Sequence, residues 1–288
     1  MALYRHFVTQ AELDAEYDVG QSVADFTEVL TGYQSASAQA REELRCDLDV
    51  SYGPTRAEQL DIFRAARPKA PILLFLHGGY WHTSSSKDHS FVALGPVSAG
   101  VTTLIVNYAL CPHVTIDEIV RQCRAAVAWA YRNGASFGGD PERIYVAGHS
   151  AGGHLAVMAL LTNWETDYGL PTDLIKGGCA VSGLFDLAPL PFTFVQPSLQ
   201  LTWGQVLRNS PILHLPAVAA PLLISYGGRE PGEFQRQSDA FLAAWRAQGL
   251  EGAFVPQPDK HHFSAINGFT DAASPLCRTV LHQMQVAH

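Results

Sequence analysis

The sequence predicts an α/β fold: a mostly parallel central sheet with helices on both faces and a small cap insertion. Two observations carry this. From Pro71 onward five short apolar runs recur, PILLFLH, VTTLIVNY, RIYVAGH, KGGCAVSG and PLLISYGG, most of them ending in glycine or a polar residue. Between them lie segments of helical periodicity, and continuous apolar strands separated by amphipathic helices form sheets covered on both faces. A chain of 288 residues, 47% hydrophobic and 16% charged, is long enough to build one such core over residues 1–288 as a single domain.

The elements follow in order. Residues 1–40 are polar and helical or irregular, an N-terminal helical or cap segment that Tyr17, Phe26, Leu30 and Tyr33 are expected to anchor to the body; whether it covers the active site is open. RCDLDVSYG (45–53) and EQLDIFRA (58–65) alternate apolar and polar positions around a Gly-Pro turn, the pattern of an antiparallel edge pair. In TIDEIVRQCRAAVAWAYRNG (115–134), Ile116, Ile119, Val120, Cys123, Val127 and Tyr131 recur at helical spacing, with Gly134 placed to close the helix. GEFQRQSDAFLAAWRAQG (232–249) reads as another helix, and GAFVPQ (252–257) as the last strand before a C-terminal helix. Residues 186–212 are rich in proline and aromatic side chains and poor in periodicity. They are expected to lie over the sheet as a lid or pocket wall.

Composition narrows the function. A formal net charge of -8 without any basic run argues against nucleic acid as a partner. The five cysteines (Cys46, Cys111, Cys123, Cys179, Cys277) are scattered and contain no CxxC pair, so reduced thiols are expected rather than disulfides or a zinc cluster. No apolar run of about 18 residues is present, and MALYRHFVTQ lacks the apolar core of a signal peptide. The expectation is a cytoplasmic protein with a small-molecule substrate, no membrane contact, and no metal or cofactor. Whether it pairs as a homodimer is open.

The chemistry concentrates in two glycine-rich stretches. GHSAGG (148–153) follows the strand RIYVA and opens the helix HLAVMALL. G-x-S-x-G in that context is a sharp turn whose small residues leave Ser150 displayed at the N-terminus of a helix, where backbone N–H groups favour negative charge. FLHGGYWHTSSSKD (75–88) places Gly78 and Gly79 directly after an earlier strand. Their N–H groups, with that of Ala151, are suited to hold the oxygen of a tetrahedral intermediate. A serine nucleophile needs a base oriented by a carboxylate, and in this chain order the acid follows the serine and the histidine comes last. The base is one of His261 and His262, and His262 is preferred because Phe263 can pack down and fix the loop. Glu230 stands just past the strand PLLISYGG, with Glu233 as its close rival and Asp186 as a more distant one. Tyr80, Trp81, His149, Phe192, Phe194 and Trp203 are candidate walls of a substrate pocket.

With these residues assembled, the chain resembles the α/β-hydrolase superfamily, and more narrowly the kynurenine formamidase (arylformamidase) branch related to hormone-sensitive-lipase-like esterases. LHGGYW with the following SKD, GHSAGGHLA, VSGLFDL, LRNSP, GEFQRQS and HHF carry the resemblance, from about residue 45 to the end. It implies Ser150 as nucleophile, His262 as base, Glu230 as acid, and Gly78, Gly79 and Ala151 as oxyanion donors. The family usually has aspartate at the positions of Glu230 and His261. The implied reaction is cleavage of an aryl formamide such as N-formyl-L-kynurenine, with short-chain or aryl ester hydrolysis as the alternative. A non-catalytic binding protein is a third reading, disfavoured by the intact serine, histidine and glycine pair.

Overall fold

The computed structural model describes residues 2–286. Eight strands form one sheet: β1 (Cys46–Ser51), β2 (Gln59–Phe63), β3 (Ala70–Leu76), β4 (Thr102–Val106), β5 (Gly139–His149), β6 (Ile175–Val181), β7 (Leu222–Gly227) and β8 (Gly252–Gln257). Their spatial order is β1-β2-β4-β3-β5-β6-β7-β8. The first two strands pair antiparallel, β2 joins β4 antiparallel, and every later pairing is parallel. The helices are α1 (Gln10–Tyr17), α2 (Phe26–Glu43), α3 (Leu94–Ser98), α4 (Ile116–Asn133), α5 (Ala151–Leu160), α6 (Trp164–Tyr168), α7 (Gln196–Leu199), α8 (Trp203–Arg208), α9 (Gly232–Ala247) and α10 (Pro275–Gln283). No helix among the described residues is long and apolar enough to cross a membrane.

Strand alternation divides the core in two. Ile72, Leu74 and Leu76 of β3 face one cluster, which also holds Ile119, Cys123 and Val127 of α4 and Leu155 of α5. Leu73 and Phe75 face the other, shared with Leu276, Val280 and Leu281 of α10. Both faces of β3 are therefore dry, which is why its seven residues read as one apolar run. Helix α4 carries the expected stripe, with Ile116, Ile119, Val120, Cys123 and Val127 buried. Gly134 does not reverse the chain. It keeps a helical φ of -49°, a short 3₁₀ turn continues to Phe137, and the left-handed residue is Gly138 at φ 84°.

The N-terminal segment is held by a buried polar network. Tyr17 donates its hydroxyl to Glu233 Oε2 (2.9 Å) and accepts from Gln237 Nε2 (2.9 Å), while Arg236 pairs with Glu233 at 2.6 Å. Tyr17 and Tyr33 are buried as anchors, but Phe26 and Leu30 are 41% and 42% exposed, because both face an open cavity. Residues 186–212 pack sideways onto α4 and α5: Arg208 and Asn209 bind Asp117, and His154 bonds the Asn209 carbonyl.

Candidate active site

Five neighbouring parallel strands end on the same side of the sheet, and each delivers a polar group just past its last residue: Gly78 after β3, Ser150 after β5, Ser182 after β6, Glu230 after β7 and His262 after β8. The carboxyl ends of parallel strands are where such folds open a crevice. The turn at Ser150 is as sharp as the motif predicts. Ser150 has φ 56° and ψ -123°, a strained conformation for a residue with a Cβ, and its amide donates to the Val181 carbonyl at 2.8 Å. Glycine is required on both sides. A Cβ on Gly148 would overlap the Gly152 carbonyl, and one on Gly152 would overlap the Leu76 carbonyl.

Gly78 and Gly79 line the same cavity as Ser150, and Ala151 follows Ser150 in the chain. Gly78 lies against the elbow, with room for a Cβ only 3.0 Å from the His149 carbonyl and 3.1 Å from Ser150 Cβ. The amides of Gly78, Gly79 and Ala151 donate to nothing among the described residues, and Ala151 opens the ten-residue helix α5. Gly79 sits at φ 104°, and its carbonyl is fixed by the amides of His82 and Thr83, both at 3.0 Å.

Of the two adjacent histidines, the structure places His262 in the crevice. Its Nδ1 is 2.8 Å from Glu230 Oε2, and both side chains are buried. His261 instead closes the following turn, taking the Ser264 amide on Nδ1 at 3.3 Å. Glu230 Oε1 accepts from the Ser182 hydroxyl (2.5 Å) and the Gly227 amide (2.6 Å), so the buried carboxylate is satisfied on both oxygens. An acceptor on Nδ1 fixes the proton there and leaves Nε2 as the basic nitrogen. Glu233 is committed to Tyr17 and Arg236, and Asp186 to the Tyr4 hydroxyl at 2.8 Å. His149 holds the His262 carbonyl through Nε2 at 2.9 Å, and burial keeps its pKa well below the usual histidine range.

Ser150 and His262 open into one cavity of about 410 Å³, whose walls include Gly78, Tyr80, His149, Phe194 and Phe263. Three expected walls are absent from it. Trp81 is fully buried, edge-on to His154 at 5.0 Å, and packs in the core behind Tyr80, whose ring is 6.2 Å away. Phe192 and Trp203 lean on each other at 5.8 Å, and Trp203 is 55% exposed on the outer surface. The roof comes chiefly from the N-terminal segment, through Val19, Phe26, Leu30 and Tyr33, with Phe194 from residues 186–212.

Residues 60–184 match the BD-FAE family. Kynurenine formamidase of Danio rerio is 31% identical over 259 residues, covering 88% of this chain and 86% of the relative. The chain belongs to the α/β-hydrolase superfamily, in the branch that holds kynurenine formamidases and hormone-sensitive-lipase-like esterases. Esterase LipQ of Mycobacterium tuberculosis, another member of this α/β-hydrolase branch, is 30% identical over 74% of the chain and 56% of its own length. A solved Silicibacter structure, provisionally assigned as a thioesterase, superposes with a TM-score of 0.82 at 28% identity, covering 93% of this chain and 98% of that one. The esterase of Pyrobaculum calidifontis shares the α/β-hydrolase fold, with a TM-score of 0.73 at 18% identity, covering 95% and 98%.

Sequence reasoning missed Ser182, and it left open whether the N-terminal segment covers the site. Ser182 had a signal, since VSG closes β6 as GHS closes β5, and its φ of 53° marks a second tight turn at the same sheet edge.

Proposed function

We propose that the protein is a serine hydrolase that cleaves an aryl formamide, such as N-formyl-L-kynurenine, to the aniline and formate through a formyl-enzyme intermediate. The observation that carries this reading is the Glu230–His262 couple sharing a cavity with a strained, displayed Ser150. Ser150 Oγ attacks the formyl carbon while His262 Nε2 takes its proton. Glu230 holds the resulting imidazolium through Nδ1–H. The carbonyl oxygen gains negative charge and turns to the amides of Gly78, Gly79 and Ala151, where losing one donor typically costs about 3 kcal/mol of transition-state stabilisation. The C–N bond breaks as His262 returns the proton to the aniline nitrogen. Water, deprotonated by the same histidine, then attacks the formyl ester, and formate leaves with Ser150 restored. The aryl group fits among Phe26, Leu30, Tyr80, Phe194 and Phe263.

Carboxylester hydrolysis is the second reading, favoured by the esterase relatives at 30–32% identity. The two separate by kcat/KM for N-formyl-L-kynurenine beside 4-nitrophenyl acetate and butyrate, with Ser150→Ala as control. Turnover of the formamide at an efficiency comparable to the esters is the expected result. Ester hydrolysis alone overturns the formamidase reading, and activity retained in Ser150→Ala overturns the serine mechanism.

A further inference from the structure

A second imidazole borders the reacting space. His149 ends β5 immediately before Ser150, lines the same cavity and is 3% exposed. Its Nε2 lies 2.9 Å from the His262 carbonyl, which can only accept, so the ring proton sits on Nε2 and Nδ1 carries a lone pair. Burial disfavours a second proton and keeps the ring neutral. Nδ1 has no hydrogen-bond partner among the described residues, yet protein atoms do not close it off, so a ligand in the cavity can reach it.

That lone pair is close to the chemistry. A Cβ built on Gly78 would lie 3.1 Å from Ser150 Cβ and 3.4 Å from His149 Nδ1, so the nucleophile and this acceptor face one small space. The rings of His149 and His262 have centroids 4.7 Å apart. A leaving atom bonded to the carbon that Ser150 attacks, and protonated by His262, is held between these groups. Ester hydrolysis has no use for an acceptor there, because the leaving oxygen carries no hydrogen. The nitrogen of an aryl formamide carries one.

We propose that His149 Nδ1 accepts the N–H of the scissile formamide, and that this bond selects anilides over esters of similar size. The inference rests on the formamidase reading and assigns its substrate preference to one residue. As the C–N bond breaks, the nitrogen lone pair takes the proton carried by His262 Nε2. The hydrogen already on nitrogen stays there, pointing at His149, and the aniline leaves with both. An ester instead sets an oxygen lone pair against that of Nδ1, and a site built for a hydrogen bond rejects the analogue that lacks the donor.

Two replacements separate this acceptor from the bond that His149 makes to the His262 carbonyl. His149→Gln keeps an N–H near the Nε2 position and removes the acceptor beside Gly78. His149→Asn keeps an acceptor near the Nδ1 position and loses the bond to His262. For each protein kcat/KM is measured on formanilide and phenyl acetate and read as their ratio, which does not depend on how much of a variant folds. The ratio is expected to fall about fivefold or more in His149→Gln and to stay within about twofold of wild type in His149→Asn. Binding of formanilide is read separately, as competitive inhibition of ester hydrolysis. If formanilide is cleaved and the ratio is unmoved in His149→Gln, or falls equally in both variants, the proposal is overturned and the formamidase reading stands. If formanilide is not cleaved but its inhibition constant rises in His149→Gln and not in His149→Asn, the formamidase reading falls and the N–H contact stands. No cleavage and an unmoved inhibition constant overturn both.

Discussion

At the scale of single residues, Glu230 and Glu233 divide two tasks that spacing alone does not separate. They stand three positions apart at the start of one helix. The structure separates them because Glu230, in the loop before Pro231, reaches across to His262. Glu233, in the first turn of α9, is drawn to Tyr17 and Arg236. Glu230→Ala is expected to lower kcat by about 10³–10⁴-fold with little change in KM, as when the orienting carboxylate of a triad is lost. Glu233→Ala leaves Arg236 without its partner and costs about 3 kcal/mol of stability, read by urea denaturation, while the folded enzyme keeps its kcat. A large loss of kcat in Glu233→Ala with kcat kept in Glu230→Ala would reverse the roles. Ser150 was legible because a motif in its strand-to-helix context marks it, whereas chain order narrowed the base only to His261 or His262. Ser182 was not, since a hydroxyl that serves a carboxylate 48 positions away leaves no local pattern.

At the scale of elements, what the sequence made plain was periodicity, and what it hid was the direction of faces that border empty space. Phe26 and Leu30 recur at helical spacing in α2, which ordinarily marks a buried stripe, yet they border the cavity. Tyr80 and Trp81 are adjacent, both at positive φ, and only one reaches the site. Glycine shows the same division between local need and local freedom. Gly152→Ala forces a Cβ onto the Leu76 carbonyl, which is backbone and cannot swing aside. It is expected to destabilise by about 3 kcal/mol or to prevent folding. Gly32→Ala, in the middle of α2 with nothing within 4 Å of the new Cβ, is expected to raise stability by about 0.5–1 kcal/mol. Thermal denaturation of the two variants checks both signs.

At the scale of the whole molecule, acid sensitivity follows from the histidines. His77, His89, His149 and His154 are all buried, and desolvation lowers the pKa of each, to about 3 for His77 and about 4 for His154. In the unfolded chain these rings titrate near 6.5. Between that value and the folded pKa the unfolded state binds more protons, so stability rises with pH and is lost as pH falls through this window. Each such ring contributes a slope of about 1.4 kcal/mol per pH unit once pH is well below 6.5. Urea midpoints measured from pH 7 to pH 5 are expected to drop steeply, and His154→Gln is expected to flatten the slope. A flat profile would mean that the rings stay solvated. The parallel sheet itself was readable because strands buried on both faces announce themselves. Whether the N-terminal segment roofs the site stayed open, because its seat combines nearby turns with residues such as Glu233 and Phe263, more than two hundred positions later.

That separation also sets an order of events during synthesis. Tyr17 leaves the ribosome 216 residues before Glu233, the carboxylate that receives its hydroxyl. At translation speeds of roughly 5–20 residues per second the interval is about 10–40 s. Leu13 and Tyr17, fully buried in the finished protein, spend that time without their seat. Docking of this segment is therefore complete only once α9 has been made, and a nascent chain can finish strands β1 to β7 while the segment is held only in part.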